Sequence, residues 1–229
     1  MKAAVVVFPG ANCDEDTRWA LEQVCGVPTQ MVWYREPVPE DADLILLPGG
    51  FSYGDYLRAG ALARFAPAME SVRQAAERGR LVLGICNGFQ ILVEAHLLPG
   101  VLLRNACLQF LCKDVWMKTV RTDTPFTRGL PEVVQMPIAH GMGNYFIDPD
   151  GLKALQDNGQ IVFQYCDRAG RVTPEANPNG SVANIAGIIN RAGNVLGMMP
   201  HPERASEDAL GSHDGRLLFE SAIEALARV

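Results

Sequence analysis

Near its start the sequence lacks any apolar run longer than the six residues Ala3 to Phe8, which Pro9 ends. That is too short for the core of a signal peptide or for a membrane span, so no leader or membrane contact is expected and a cytoplasmic setting is. Positive charge is also in deficit: 20 Lys and Arg against 26 Asp and Glu leave a net charge of −6. Such a field repels phosphate backbones and anionic lipid, and nucleic acid is not an expected partner. The six cysteines, at 13, 25, 86, 107, 112 and 166, include no C-x-x-C pair, and without a leader they are expected as reduced thiols. A zinc site would have to join Cys107 and Cys112 to the distant His140, and no ligand spacing completes it, so no metal is expected. Neither G-x-x-x-x-G-K-[ST] nor a strand-borne G-x-G-x-x-G occurs, which argues against an ATP or dinucleotide cofactor on this chain.

What remains is ordinary globular material. Hydrophobic residues make up 48% of the 229, and 22 glycines with 15 prolines are too few for a disordered or fibrous chain. One domain over residues 1–229 is expected. Short runs rich in Val, Ile and Leu at 3–8, 43–47, 81–86, 161–165, 185–189 and 195–199 predict buried strands. Thr17, Ala20, Leu21 and Val24 repeat at helical spacing, with Asn12 and Glu15 in capping-box positions and Gly26 as the stop. A second helix opens at Pro67 and ends at Gly79, a third follows Cys86, and a last one follows Ser212 with Leu218, Ala222, Ala225 and Val229 on one face. Strand and helix alternate through the first half, which predicts an α/β fold with a mostly parallel sheet flanked by helices. From Leu108 to Val120 the pattern is closer to strand pairs, and Val133 to Ile138 and Ile161 to Tyr165 look like strands without long intervening helices, a smaller mixed or antiparallel extension.

The segment Gly84-Ile-Cys86-Asn-Gly88 sits between a predicted strand and a predicted helix. Small residues there permit a tight turn that lifts the Cys86 sulfur to the sheet's carboxyl edge, beside a helix N-terminus that favours thiolate. A thiol nucleophile needs a proton carrier, and the chain has only four histidines, at 96, 140, 201 and 213. Of these, His201 in Pro200-His-Pro-Glu203 follows a predicted strand, and its extended geometry before Pro202 puts Glu203 on the same side, where a carboxylate can orient imidazole. His140 lies in a glycine-rich loop that can line a site, whereas His96 and His213 read as surface or structural. In the segment Leu47 to Gly60, Gly49 and Gly50 let backbone N–H groups approach a ligand, and with the Asn87 N–H they can form an oxyanion hole. Phe51, Tyr53, Tyr56 and Arg58 are suited to a partner interface.

Four segments together resemble the class I, triad-type glutamine amidotransferases: Phe8 to Asp14, Gly49 to Arg58, Gly84 to Gln90 and Pro200 to Arg204. The Gly-Gly-Phe-Ser-Tyr-Gly-Asp run at 49–55 narrows the likeness to the family of glutaminase subunits that serve phosphoribosylformylglycinamidine synthase in purine biosynthesis. The resemblance implies a flavodoxin-like fold and a glutaminase whose nucleophile is Cys86, whose acid/base is His201 and whose orienting group is Glu203. It implies Gly50 and Asn87 as oxyanion donors, and Gln90, with Gly49, Phe51 and His140, as contacts of the substrate L-glutamine. It implies ammonia delivery to a large synthase subunit that carries ATP and magnesium, with a small third subunit in the complex. At Met142 and Asn144 the sequence departs from the family, which commonly has an acidic and a basic residue there.

Two other readings fit the elbow without ammonia transfer. A cysteine hydrolase of the DJ-1 or peptidase type would show no glutamine dependence. A non-catalytic binding subunit would keep its complex's activity after Cys86→Ala.

Overall fold

Ala-Ala-Val-Val-Val forms the first strand, β1 (Ala3–Val7), because a run of small and β-branched residues suits a strand buried on both faces. The computed structural model describes residues 1–228, so Val229 of the last predicted helical face lies outside the described residues. Helix α1 (Asp14–Trp19) runs on into a π-turn over Ala20–Val24. The capping box does not form: Cys13 is the N-cap without a side-chain bond, and the Thr17 hydroxyl donates back to the Cys13 carbonyl at 2.7 Å. Strand β2 (Thr29–Trp33) was not legible, because as an edge strand it buries little and carries a polar residue. Strand β3 (Leu44–Leu47), helix α2 (Pro67–Glu77), strand β4 (Leu81–Ile85) and helix α3 (Asn87–Glu94) follow as the periodicity predicts.

The second half adds β5 (Val101–Leu103), β6 (Leu111–Thr119), β7 (Val133–His140), β8 (Asn144–Phe146), β9 (Ile161–Cys166), β10 (Ile185–Ile189) and β11 (Val195–Met198). A helix, α4 (Pro149–Asp157), intervenes before β9, capped by the Asp148 carboxylate, which accepts from the Gly151 N–H at 2.7 Å. The terminal helix α5 (Asp214–Ala227) buries Leu218 and Ala222. Nine strands form one sheet in the order β2-β1-β3-β4-β11-β10-β9-β6-β7. From β2 to β11 neighbours are parallel. From β11 through β7 they are antiparallel, so the extension continues the same sheet. The stretch Leu108 to Val120 supplies the single strand β6, paired on both sides, where strand pairs were expected. Only β5 and β8 stand apart, as a two-stranded ribbon. The carboxyl ends of β1, β3, β4 and β11 meet on one edge, where open α/β sheets collect their ligands.

Candidate active site

Cys86 is the one residue between β4 and α3, and it holds φ +50°, ψ −103°, a conformation that costs a non-glycine residue about 1–3 kcal/mol. Two close approaches explain its glycine neighbours. A Cβ on Gly88 would lie 1.9 Å from the Leu47 carbonyl oxygen, and one on Gly84 would lie 2.7 Å from the Gly88 backbone. The Cys86 N–H donates to the Met198 carbonyl at 2.8 Å, which ties the turn to β11. The sulfur does not stand clear of the sheet as the elbow suggested. Cys86 is 4% exposed, and its thiol lies 3.7 Å from the Ala139 carbonyl of β7, which covers it.

His201 leaves β11 in extended conformation and is pinned by its N–H to the Pro137 carbonyl at 2.9 Å. Its Nδ1 meets Glu203 Oε1 at 2.6 Å, and both side chains are sealed from solvent. The route differs from strand alternation, because Glu203 sits in a 3-10 turn over Pro202–Ala205 that folds its carboxylate back under the ring. Burial, the largest single influence, disfavours the charged imidazole, but the Glu203 carboxylate and the adjoining Cys86 and Cys13 sulfurs together outweigh it, and His201 is held well above the usual histidine range. With Nδ1 committed to Glu203, Nε2 is left without a hydrogen-bond acceptor or donor, facing the thiols. An arrangement of thiol, imidazole and carboxylate of this kind can pass a proton from sulfur to ring and hold the resulting imidazolium.

Gly49 and Gly50 run against the loop after β1. A Cβ on Gly49 would strike the His201 ring at 2.7 Å, and Gly50 holds φ +145° with Ala11 Cα 2.7 Å from where its Cβ would be. Gly50 faces Ala11 as a bridge flanked by bonds from Asn12 N–H to Gly49 O (3.3 Å) and Phe51 N–H to Gly10 O (2.8 Å). In that pairing the central N–H points away from the partner and is free for a ligand. Asn87 opens α3, so its N–H has no intrahelical acceptor. The Asn87 side chain fastens the loop: its Oδ1 accepts from the Ser52 N–H at 3.0 Å and its Nδ2 donates to Gln90 Oε1 at 2.8 Å. Gln90 Nε2 in turn donates to the Met142 carbonyl at 2.6 Å, a backbone contact indifferent to the side chain at 142. Asp55, half-buried in the same loop, is pushed up to about 6 by burial. Tyr53 packs against Tyr34 and is half-buried, whereas Phe51, Tyr56 and Arg58 stay exposed, Arg58 paired with Glu94, and Leu57 joins them.

His140 ends β7 as a buried ring, its Nδ1 3.1 Å from Asn105 Oδ1 and its Nε2 unpartnered. Burial, then the nearby His201, push it down to about 4, so it is neutral. Asn105 organises this corner, with its Nδ2 donating to the His140 carbonyl at 2.8 Å and its Oδ1 accepting from the Gly143 N–H at 2.9 Å. His96 is exposed and His213 caps α5, bonded to Asp208 at 2.6 Å. Cys107 and Cys112 are exposed, whereas His140 is buried on Asn105. Asn105, Cys13 and Arg204 were missed. Cys13 lies beside His201 and accepts from Arg204 Nη2 at 3.2 Å, yet nothing near position 13 announces a partner 188 residues on. A cavity of about 210 Å³ opens over Gly50, Phe51, Cys13 and His201, whereas two larger hollows, of about 560 and 380 Å³, lie by α5 and α4, away from the thiol.

The family model for the CobB/CobQ-like glutamine amidotransferase domain matches residues 1–217. The phosphoribosylformylglycinamidine synthase subunit PurQ of Moorella thermoacetica is 58% identical over 226 residues, 98% of this chain and 96% of that protein. The subunit of the same name from Koribacter versatilis is 54% identical over the full length of both chains. Among solved structures, that of PurLQS from Thermotoga maritima matches with a TM-score of 0.87 and 43% identity over 98% of each chain. A glutamine amidotransferase of the same organism, at 17% identity and TM-score 0.57, shares the fold.

Proposed function

The chain belongs to the CobB/CobQ-like glutamine amidotransferase family, and from that premise we propose that its buried Cys86, His201 and Glu203 hydrolyse glutamine for a larger assembly. It is the glutaminase subunit of phosphoribosylformylglycinamidine synthase, acting in purine biosynthesis. Glutamine enters through the cavity beside Gly50 and Phe51. His201, its charged ring held by Glu203, already carries at Nε2 the proton drawn from Cys86, whose sulfur adds to the carboxamide carbon while the Gly50 and Asn87 N–H groups hold the oxyanion. The C–N bond breaks as His201 returns the proton to nitrogen, releasing ammonia and leaving a thioester. Water, deprotonated by the same nitrogen, then frees glutamate and restores the thiol. Gln90, His140, Gly49 and Phe51 surround the path as substrate contacts.

Ammonia is used elsewhere. The synthase subunit, with ATP and magnesium, consumes it in converting formylglycinamide ribonucleotide to formylglycinamidine ribonucleotide, and a small third subunit completes the complex in the cytoplasm. Among the described residues no helix is long and apolar enough to cross a membrane. Phe51 at the mouth, with Tyr56 and Leu57 exposed in the same loop, faces the synthase. One domain spans the chain. The observation that carries this reading is the strained, buried Cys86 turn abutting an imidazole anchored on Glu203 at 2.6 Å. In Cys86→Ala the reconstituted complex keeps ammonium-dependent synthesis and loses the glutamine-dependent reaction. Loss of both would make Cys86 structural. A diazo-ketone glutamine analogue labels Cys86, and an adduct found only on another cysteine contradicts the assignment.

A further inference from the structure

We propose that the Asn87 carboxamide is a positioning group for the glutaminase reaction, one that holds the two oxyanion donors, the N–H groups of Gly50 and Asn87, at a fixed separation. Those donors come from different segments, the loop after β3 and the first turn of α3, so their spacing depends on what joins loop to helix. Among the described residues, the hydrogen bonds that cross from this loop to that turn go to the Asn87 side chain. Its Oδ1 accepts at 3.0 Å from the N–H of Ser52, two residues past Gly50, and its Nδ2 makes a longer approach of 3.5 Å to Asp55 Oδ1. From there a chain of hydrogen bonds runs on in one direction, with Asn87 Nδ2 donating to Gln90 Oε1 at 2.8 Å and Gln90 Nε2 to the Met142 carbonyl at 2.6 Å. The Ser52 N–H can only donate and the Met142 carbonyl can only accept. Turning either amide over would set donor against donor at one of its ends and acceptor against acceptor at the other. Ser52, Asn87 and Gln90 are buried, where water does not relieve such a mismatch, so backbone groups at both ends fix the way Asn87 faces.

The loop has reason to shift once that chain is cut. Beyond Ser52, the residues Tyr53, Asp55 and Leu57 hold φ of 53, 55 and 70°, a left-handed backbone that most side chains avoid. The Ser52 hydroxyl is buried without a partner and gives the loop no second anchor. On its far side the loop stays bonded to the segment after β1, through Phe51 N–H to Gly10 O at 2.8 Å and Tyr53 N–H to Pro9 O at 2.7 Å. Asn87→Ala therefore keeps both backbone donors and the attachment to β1 and releases the distance between the donors. A misplacement of about 1 Å costs about 100-fold in rate, against about 10²–10³-fold for outright loss of a donor. This role rests on the glutaminase reading of Cys86, which Cys86→Ala tests separately.

The probe is L-glutamate γ-semialdehyde, given to the full-length chain reconstituted with its synthase subunit. The Cys86 sulfur adds to the aldehyde carbon, the carbonyl oxygen takes the electron pair and lies between the two N–H groups, and the adduct has no leaving group to lose. In Asn87→Ala, kcat for glutamate release should fall about 100-fold with little change in KM for glutamine, and the aldehyde should bind about 100-fold more weakly, while ammonium-dependent synthesis is retained. An unchanged kcat overturns the proposal. So does a rise in KM with kcat kept, which would make Asn87 a support for the grip of Gln90 on glutamine and not for the oxyanion hole. Aldehyde affinity that survives Cys86→Ala would remove the nucleophile, a different failure. Should Asn87→Ala lose ammonium-dependent synthesis as well, hydrogen exchange on the unaltered chain decides: the buried Ser52 amide should exchange at least about 100-fold more slowly than that of the exposed Leu57, and more slowly again with the aldehyde bound. Equal rates at Ser52 and Leu57 overturn the tie.

Discussion

The neutral, buried His140 makes a quantitative prediction about acid stability. Its ring is held at about 4 by burial and by the neighbouring His201, against 6.5 in an unfolded chain. The folded protein therefore binds fewer protons than the unfolded chain across that interval, and stability present above pH 6.5 is lost as pH falls toward 4. At about 1.4 kcal/mol per tenfold change in proton activity, the ring alone accounts for about 2 kcal/mol between pH 6.5 and 5, and about 3 kcal/mol by pH 4. His201 works in the opposite window: its raised folded value contributes stability below 6.5 that is lost as pH rises through that value, so it does not imitate the acid loss. The perturbation is His140→Gln, whose amide can donate to Asn105 Oδ1 as the imidazole Nδ1 does. Urea unfolding of both proteins from pH 7 to 4.5 removes the common carboxylate contribution by difference. The native chain should lose about 2 kcal/mol more than the variant between pH 6.5 and 5. Stability curves that stay parallel would refute the claim that a buried, neutral His140 opposes acid.

Gly88→Ala places a methyl 1.9 Å from the Leu47 carbonyl oxygen, a backbone atom that cannot step aside, so thermal unfolding should drop by several degrees, a loss of about 1–3 kcal/mol. Glu203→Gln removes the charge that holds His201 high, and kcat for glutamate release should fall about 10²–10⁴-fold with the fold intact by circular dichroism. An unchanged kcat would deny the carboxylate its orienting part. Leu57 is 87% exposed in the loop that carries Phe51, and Leu57→Asp should weaken association with the synthase subunit about tenfold in a titration while leaving unfolding unchanged.

Legibility followed the range of the interaction. The strands of the first half were readable because each is buried on both faces, as in Leu44–Leu47, and no outer partner dilutes the apolar run. Thr29–Trp33 was not, since at the sheet edge it buries only Val32 and leaves Gln30 and Trp33 in solvent. The α4 helix carried a readable signal, Asp148 before Pro149, that the strand-like pattern around it overrode. At the α1 terminus Asn12 and Glu15 had the spacing of a cap, but the chain there is fixed by Asn12 and Cys13 N–H bonds to the Gly49 carbonyl at 3.3 and 3.2 Å, so long-range pairing displaced the local motif.

The same distinction explains why the meeting of Cys86 and His201 was expected from proton-transfer chemistry and from the family resemblance, while the strand order that produces it was not visible. Both follow strands, but sequence does not say that β11, the last strand of the chain, inserts beside β4. Once it does, convergence is forced. The ladder pairs Met198 with Ile85 in parallel, so Cys86, one residue past Ile85, and His201, three past Met198, leave the sheet at one end on strands about 4.8 Å apart. The Cys86 N–H to Met198 O bond extends that ladder by one step into the turn, and so the strain at Cys86 is held by the same pairing that delivers the imidazole. Sliding β11 by one residue would turn the Met198 and Leu196 side chains to the opposite face and carry His201 away from the sulfur, which the buried Phe89 packed on Gly197 prevents. The site is therefore specified by apolar contacts on β11 that contain none of its chemistry.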